Sequence, residues 1–299
     1  MSGSITVRVP AKVNVQLAVG AARPDGFHDL ANVFLAVGLH DTVTATPADA
    51  LTITAEGHDV DRIPLDRTNL AARAAELLAA RHGISPDVHL HITKDIPVAG
   101  GMAGGSADAA AALLACDALW STGSSREELL DICAELGSDV PFSLVGGAAL
   151  GRGRGELLTP LSVGGTFHWV FAVAEGGLST PAVYGEFDRL TADTDVPEPE
   201  AAPELLAALR DGDATALAAT LANDLQPAAL SLCPELTATL KAGTEAGALA
   251  ALVSGSGPTT AYLVEDAQAA EKVAQALLAS GTCRAVRVAN SPAPGATVL

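Results

Sequence analysis

The chain has 299 residues, 49% of them apolar, enough to bury a sizeable core in one large or two closely packed domains. Acidic side chains outnumber basic ones 35 to 17, and a formal charge of −18 opposes nucleic acid or an anionic membrane over most of the surface. No stretch approaches the roughly 20 apolar residues of a membrane span and the start lacks the pattern of a signal peptide, which makes the cytoplasm the default compartment; the expected partners are small molecules, and the sequence leaves monomer and homodimer open.

Residues 5–19 read as a strand, with Val7, Val9, Val13, Val15, Leu17 and Val19 on alternate positions and Pro10 as an interruption. That alternation puts Lys12 and Asn14 together on the opposite face. Arg23-Pro-Asp-Gly26 is a turn leading into Phe27-His28, and the apolar run 32–38 makes a hairpin-like return. Strands follow at 41–46, 51–55 and 88–93. Between the last two, Asn69 is a helix cap and Gly83 a helix stop, around a stripe of Leu70, Ala74, Leu77 and Leu78.

The alanine-rich run 106–120 and the segment 125–136 are helices, the latter stopped by Gly137. Glycines at 146–147 and 151–155 mark loops, and the division of the chain falls there, into residues 1–155 and 156–299. The second half reads strand 169–174, helix 181–189, an acidic link at 193–203, helices to about Leu225, helix 234–247, strands 250–254 and 259–264, helix 267–280 and strand 285–289. That order suggests a split βαβ sandwich, with 291–299 as a loose tail. The cysteines Cys116, Cys133, Cys233 and Cys283 lie far apart with no C-x-x-C pair, which fits buried thiols.

The chemistry concentrates between Ile96 and Ala110. This segment follows a strand and opens a helix, where free backbone N–H groups meet the positive end of the helix dipole and suit a phosphate. Gly100, Gly101, Gly104 and Gly105 let the backbone approach an oxyanion and accept positive φ at low cost. Ser106 either caps the helix or turns its hydroxyl toward a magnesium ion. The spacing is neither that of a P-loop nor G-x-G-x-x-G. Asp139, between Gly137 and Pro141, is either a turn former or a carboxylate aimed from a rigid turn. Lys12 is one of only four lysines, and it either snorkels from its strand or serves a site. His28 stands in a loop, and Tyr184 reads as core or as a stacking surface.

Pro97–Ala107 resembles the ATP loop of the galactokinase, homoserine kinase, mevalonate kinase and phosphomevalonate kinase superfamily. Pro10-Ala-Lys-Val-Asn14, Leu136-Gly-Ser-Asp-Val-Pro141 and Ser254-Gly-Ser-Gly-Pro-Thr259 stand in the order of that group's signature regions. Ala11-Lys-Val-Asn14 with Arg23-Pro-Asp-Gly-Phe-His28 is most similar to its members that phosphorylate an alcohol carrying a cytidine diphosphate. The resemblance implies an α+β, two-domain small-molecule kinase fold with the active site in the inter-domain cleft. ATP and Mg2+ are its implied cofactors.

It implies Lys12 and Asp139 at the acceptor hydroxyl as catalytic residues. Asn14, Phe27, His28 and Tyr184 would bind the acceptor, with Phe27 and Tyr184 on the cytosine ring. Pro97, Val98, Ala99, Gly100, Gly101, Met102, Ala103, Gly104, Gly105, Ser106 and Ala107 would wrap the nucleotide, with Ser106 near the metal. Ala99 and Ala103 stand where relatives often have glycine, Phe27 where tyrosine is common, and Ala107 where a second serine is frequent. Because the net charge repels both anionic substrates, their binding falls to short-range donors: the loop amides, magnesium, Lys12, and Arg152 and Arg154.

Overall fold

The computed structural model describes residues 3–299. Strands β1 (Ile5–Ala22) and β2 (His28–Pro47) form a long antiparallel hairpin, closed by a turn in which Arg23 N–H donates to the Phe27 carbonyl at 2.7 Å. Pro10 does not end the strand. The register slips beside it, with Pro10 opposite His40 and Ala11 opposite Val37, so that the missing donor falls at a bulge. Both faces of β1 are covered: the valines pack into the main apolar cluster, and Lys12, Asn14 and Gln16 are buried on the other side.

β3 (Thr52–Gly57) runs parallel to β4 (Val88–Lys94), which pairs with β2. Helix α1 (Leu70–His82) lies between them in sequence, capped by the Asn69 side chain on Ala71 N–H and ended by Gly83 at φ +63°. Helix α2 (Gly104–Trp120) starts two residues earlier than its pattern suggests and carries a run of buried alanines, whose small side chains let it lie close against β1 and β2. Helices α3 (Arg126–Leu136, capped by Ser125) and α4 (Val140–Val145) lead to β5 (Ala148–Arg152) and β6 (Leu157–Pro160), which extend the first sheet past residue 155.

The second sheet begins with β7 (Phe167–Val173). The chain then passes through α5 (Thr180–Thr191), α6 (Pro203–Asp211) and α7 (Ala214–Ala218). The expected helix up to Leu225 stops short, because Ala222–Asn223 becomes β8, a two-residue parallel partner of Gln16–Leu17. After α8 (Gln226–Leu232) and α9 (Leu236–Glu245) come β9 (Ala250–Val253), β10 (Thr260–Val264), α10 (Ala267–Ser280) and β11 (Ala285–Ser291). The sheet order β11-β7-β10-β9 is antiparallel throughout, so β7 and β9 run parallel with β10 inserted between them. This is the split βαβ arrangement expected.

One apolar cluster reaches from the valines of β1 through α2 to Phe167, Trp169 and Phe171 of β7, so the halves share a core. Cys116, Cys133 and Cys233 are buried free thiols and Cys283 is half-buried; burial pushes Cys116 and Cys133 up to about 12. Among the described residues no helix is long and apolar enough to cross a membrane.

The C-terminal residues are not a loose tail. Ala293 N–H donates to the Ala36 carbonyl at 2.9 Å, Gly147 N–H to the Ala293 carbonyl at 2.8 Å and Ala296 N–H to the Ser143 carbonyl at 3.1 Å. Thr297–Val298 forms β12 on the free edge of β1, with Val298 opposite Val7. Local composition gave no sign of this, because an edge pairing across the whole chain leaves no periodic pattern in so short a segment. At about 1 kcal/mol for each backbone hydrogen bond lost, and with Leu299 N–H to the Thr6 carbonyl at 2.9 Å as a fourth, deleting residues 293–299 should destabilise the protein by about 4 kcal/mol and lower its Tm by several degrees. A melting curve superimposable on that of the full chain would restore the loose-tail reading.

Candidate active site

Lys12, in the middle of β1, is only 4% exposed and lines the cavity between the two halves. Nζ donates to Asn14 Oδ1 at 2.6 Å and to the Gly101 carbonyl at 3.0 Å, and lies 3.9 Å from Asp139 Oδ2. Burial pulls its pKa below the ordinary lysine value, and Asp139 works in the opposite direction. Asn14 is itself held by its Nδ2, which donates to Asn32 Oδ1 at 2.6 Å. The strand alternation that placed Lys12 beside Asn14 thus delivers both to one buried network.

Asp139 stands at the N-cap position of α4 with φ −87° and ψ −13°, and its side chain caps nothing. An N-cap carboxylate needs extended backbone to fold back on its helix, and this residue lacks it. The turn-former reading therefore leaves the carboxylate free, and it faces Lys12 across a cavity of about 680 Å³ between the two halves.

The glycine loop forms another part of the cavity wall, through Ala99, Gly100, Gly101, Gly104, Gly105 and Ser106, joined by Ala103. Its glycines are there for different reasons. A Cβ on Gly101 would stand 2.0 Å from the Ser254 carbonyl oxygen, and one on Gly100 2.7 Å from Thr259 Oγ1, so both admit the 254–259 loop of the second half. Ser254 Oγ donates to the Gly101 carbonyl at 3.1 Å and Thr259 N–H to that of Gly100 at 3.3 Å. Of the four glycines only Gly101 takes a positive φ, whereas Ala99 and Ala103 do so at +54° and +61°.

Gly104, Gly105 and Ser106 are the first three residues of α2, so their amides have no partner inside the helix. Beside Gly105 the nearest atom to an added Cβ is Leu70 Cδ1, 3.8 Å away, which leaves the space at that residue open, whereas at Gly104 Ile96 and Lys94 Nζ would stand 3.2 Å away. Ala103, not Ser106, occupies the N-cap position. The Ser106 hydroxyl makes no hydrogen bond among the described residues, so the capping alternative falls. Four residues of the expected loop do not reach the cavity: Pro97, Val98, Met102 and Ala107, of which Pro97, Met102 and Ala107 are buried, the last two in the apolar core. Val98 lines a neighbouring hollow of about 250 Å³ together with Arg62, Asn69, Lys94, Gly105 and Asp108.

At the other end of the cavity His28 is the first residue of β2 rather than a loop residue, and it is 5% exposed. Its Nδ1 is 2.8 Å from the Gly20 carbonyl, an acceptor that requires the proton on Nδ1, and its Nε2 lies 3.5 Å from Asp188 Oδ1. The Tyr184 ring is 5.0 Å from the imidazole and both line the cavity, while Tyr184 also packs on the apolar cluster of α5 and α8. Burial, with Asp139 adding to it, raises the Tyr184 phenol. Phe27 is 49% exposed at the rim, with the Arg154 guanidinium carbon 5.1 Å from its ring centre. Arg152 does not line the cavity.

One cluster escaped sequence reasoning. Lys94, at the end of β4, is buried between Asp41 and Asp108, 2.8 Å from Asp108 Oδ2 and hydrogen-bonded to Asp41. Asp41 Oδ1 also accepts from the amides of Asp95 and Ile96 at 2.7 and 2.9 Å. The three side chains thus tie the strand before the glycine loop to the helix after it. Burial, and repulsion from Asp41, push Asp108 up to about 7 against the attraction of Lys94. For Lys94 burial opposes the charge, but the two carboxylates outweigh it and its pKa is raised. The signal that singled out Lys12, a rare lysine in an apolar strand of an acidic chain, also applies to Lys94.

The sequence matches the family model for the GHMP kinases N terminal domain over residues 69–147 and that for the GHMP kinases C terminal over residues 205–282. It is 79% identical over 296 residues to the 4-diphosphocytidyl-2-C-methyl-D-erythritol kinase of Streptomyces avermitilis, covering 99% of this chain and 100% of the relative. The enzyme of the same name from Streptomyces coelicolor is 74% identical, with 99% of each chain covered. A crystal structure of 4-(cytidine 5'-diphospho)-2C-methyl-D-erythritol kinase superposes with a TM-score of 0.79 at 32% identity, covering 96% of this chain and 99% of that one. Homoserine kinase from Cytophaga hutchinsonii shares the fold at a TM-score of 0.75 and 22% identity, over 100% of this chain and 98% of its own. A cleft of this geometry, both family models and relatives matched end to end place the chain among the GHMP kinases, in the family of the 4-diphosphocytidyl-2-C-methyl-D-erythritol kinases.

Proposed function

We propose that this kinase moves the γ-phosphoryl of ATP onto the 2-hydroxyl of 4-diphosphocytidyl-2-C-methyl-D-erythritol, with Asp139 as base and orienter and Lys12 as charge stabiliser. The observation that carries the reading is the meeting, in one cavity, of the open amides of α2 with an uncapping aspartate 3.9 Å from a buried ammonium.

The triphosphate lies against the amides of Gly104, Gly105 and Ser106, at the positive end of α2. The adjoining hollow beside Asn69, Lys94 and Val98 takes the base. The Ser106 hydroxyl is an unpartnered oxygen on the same wall and suits magnesium, which keeps most of its shell as water and phosphate oxygen. When bound, the ion supplies neutralisation of phosphate charge.

Asp139 accepts the hydroxyl proton as the oxygen–phosphorus bond forms and the bond from the γ-phosphorus to the bridging oxygen breaks, the electron pair leaving with ADP. A carboxylate is a much weaker base than an alkoxide, so the proton moves only as the attacking oxygen becomes acidic. Orientation is the first duty of Asp139. Lys12 cannot leave, because Asn14 and the Gly101 carbonyl hold it, and it balances Asp139 and the migrating phosphoryl together. At the far end Phe27 and Tyr184 stack on the cytosine, worth roughly 1–3 kcal/mol per base, and His28 offers Nε2 to its edge.

ATP turnover with 4-diphosphocytidyl-2-C-methyl-D-erythritol, set against mevalonate and homoserine, tests the acceptor: only the first should release ADP. Turnover with either of the others alone would move the protein elsewhere among the GHMP kinases. Asp139→Asn should lower kcat by about 10²–10⁴ while nucleotide affinity measured by calorimetry stays as in the wild type; undiminished turnover would remove Asp139 from the mechanism. Gly105→Val places its side chain in open space over the helix mouth, so the variant should keep the wild-type melting temperature and lose ATP binding. Retained ATP affinity would show that the triphosphate does not lie there.

A further inference from the structure

We propose that the Arg154 guanidinium binds the diphosphate of the acceptor, which makes it a specificity-determining residue for a nucleoside diphosphate over a bare nucleoside or alcohol; the inference rests on the cytidine reading above. Among the described residues, Lys12 and Arg154 are the only lysine or arginine side chains on the cavity wall, against Asp139 and Asp188. Lys12 is committed to Asn14, the Gly101 carbonyl and Asp139. Arg154 is not committed. Its amide donates to Glu156 Oε2 at 2.7 Å and its Nε to Glu156 Oε1 at 3.4 Å, but neither Nη makes a hydrogen bond among the described residues.

The backbone around it is fixed, which aims those free donors. The Gly153 carbonyl accepts from Leu30 N–H of β2 at 2.8 Å, Gly155 N–H donates to the Arg152 carbonyl at 3.0 Å, and both glycines take positive φ, at +67° and +109°. The guanidinium lies against Phe27, at the end of the cavity where the base stacks. A diphosphate joined to that base through a single ribose must pass close by on its way to the acceptor hydroxyl at Lys12 and Asp139. Two forked N–H groups match such an anion better than an ammonium does. In a chain of charge −18 a diphosphate finds little long-range attraction, so a local cation of this kind is required.

Calorimetric titration with cytidine and with cytidine 5'-diphosphate separates the phosphate contribution from that of the base. The wild type should bind the diphosphate more tightly than cytidine. Arg154→Gln should weaken the diphosphate about tenfold and leave cytidine within about twofold, the loss of one charge-assisted contact. Arg154→Lys should fall between. The proposal is overturned if Arg154→Gln binds the diphosphate like the wild type, or if it loses cytidine and the diphosphate equally, which would mean that Arg154 only braces Phe27. A wild type that binds neither ligand would instead overturn the cytidine reading and Arg154's assignment with it.

Discussion

A lysine ammonium buried on the inner face of a strand is the constraint around which the rest of the site is arranged. Removing a charge from water is costly unless acceptors replace the lost solvent, and the acceptors of Lys12 come from separate parts of the chain. Asn14 lies on its own strand, Gly101 in the loop before α2, and Asp139 at the start of α4. The 254–259 loop of the second half closes the same point: a Cβ on Gly255 would sit 3.2 Å from both Lys12 Nζ and Asn14 Oδ1, and Ser254 shares the Gly101 carbonyl. Asn223 of β8 fixes that loop through bonds of 2.8 Å to the carbonyls of Val253 and Gly255. Satisfying one cation therefore fixes how the two halves meet, and the cavity between them follows.

The charge of the whole molecule works against its substrates, and this shapes what the site contains. At physiological ionic strength the field of distant carboxylates is largely screened within about 8 Å, so what decides binding is what touches the ligand. The cavity supplies helix amides, one buried ammonium and one partly exposed guanidinium. Behind the glycine loop the Asp41–Lys94–Asp108 cluster confines two acidic side chains in the core, paired with a lysine, rather than on the wall of the main cavity.

What the sequence disclosed and what it hid divide along a physical line. Features encoded within a few residues were legible: the alternation that pairs Lys12 with Asn14, the Asn69 cap, the Gly83 stop, and the strand-to-helix passage at 96–110. Features that depend on remote segments were not. Gly100 and Gly101 read as room for an oxyanion, yet it is the Thr259 hydroxyl and the Ser254 carbonyl that demand them, some 150 residues away in sequence. The edge pairing of Val298 with Val7 and the bridge of β8 to β1 have no local signature either. Asp41 and Asp108 flank Lys94 from a strand and a helix whose approach no spacing rule predicts.

Several local costs collect around the site. Ala99 and Ala103 hold left-handed backbone, a conformation that costs an L-residue with a Cβ about 1–2 kcal/mol each. Asp139 forgoes a helix cap worth about 1 kcal/mol, and α2 begins with no side-chain cap at all. Each missing cap leaves a polar group at the cavity without a hydrogen bond from the chain: the carboxylate of Asp139, paired with Lys12 only by charge, in one case, and the first amides of α2 in the other. A protein selected for stability alone would close these groups with a capping serine and glycines in the left-handed positions. Their persistence next to a fully packed alanine helix is consistent with strain held by the surrounding core at the place where a ligand, rather than the chain itself, completes the hydrogen bonds.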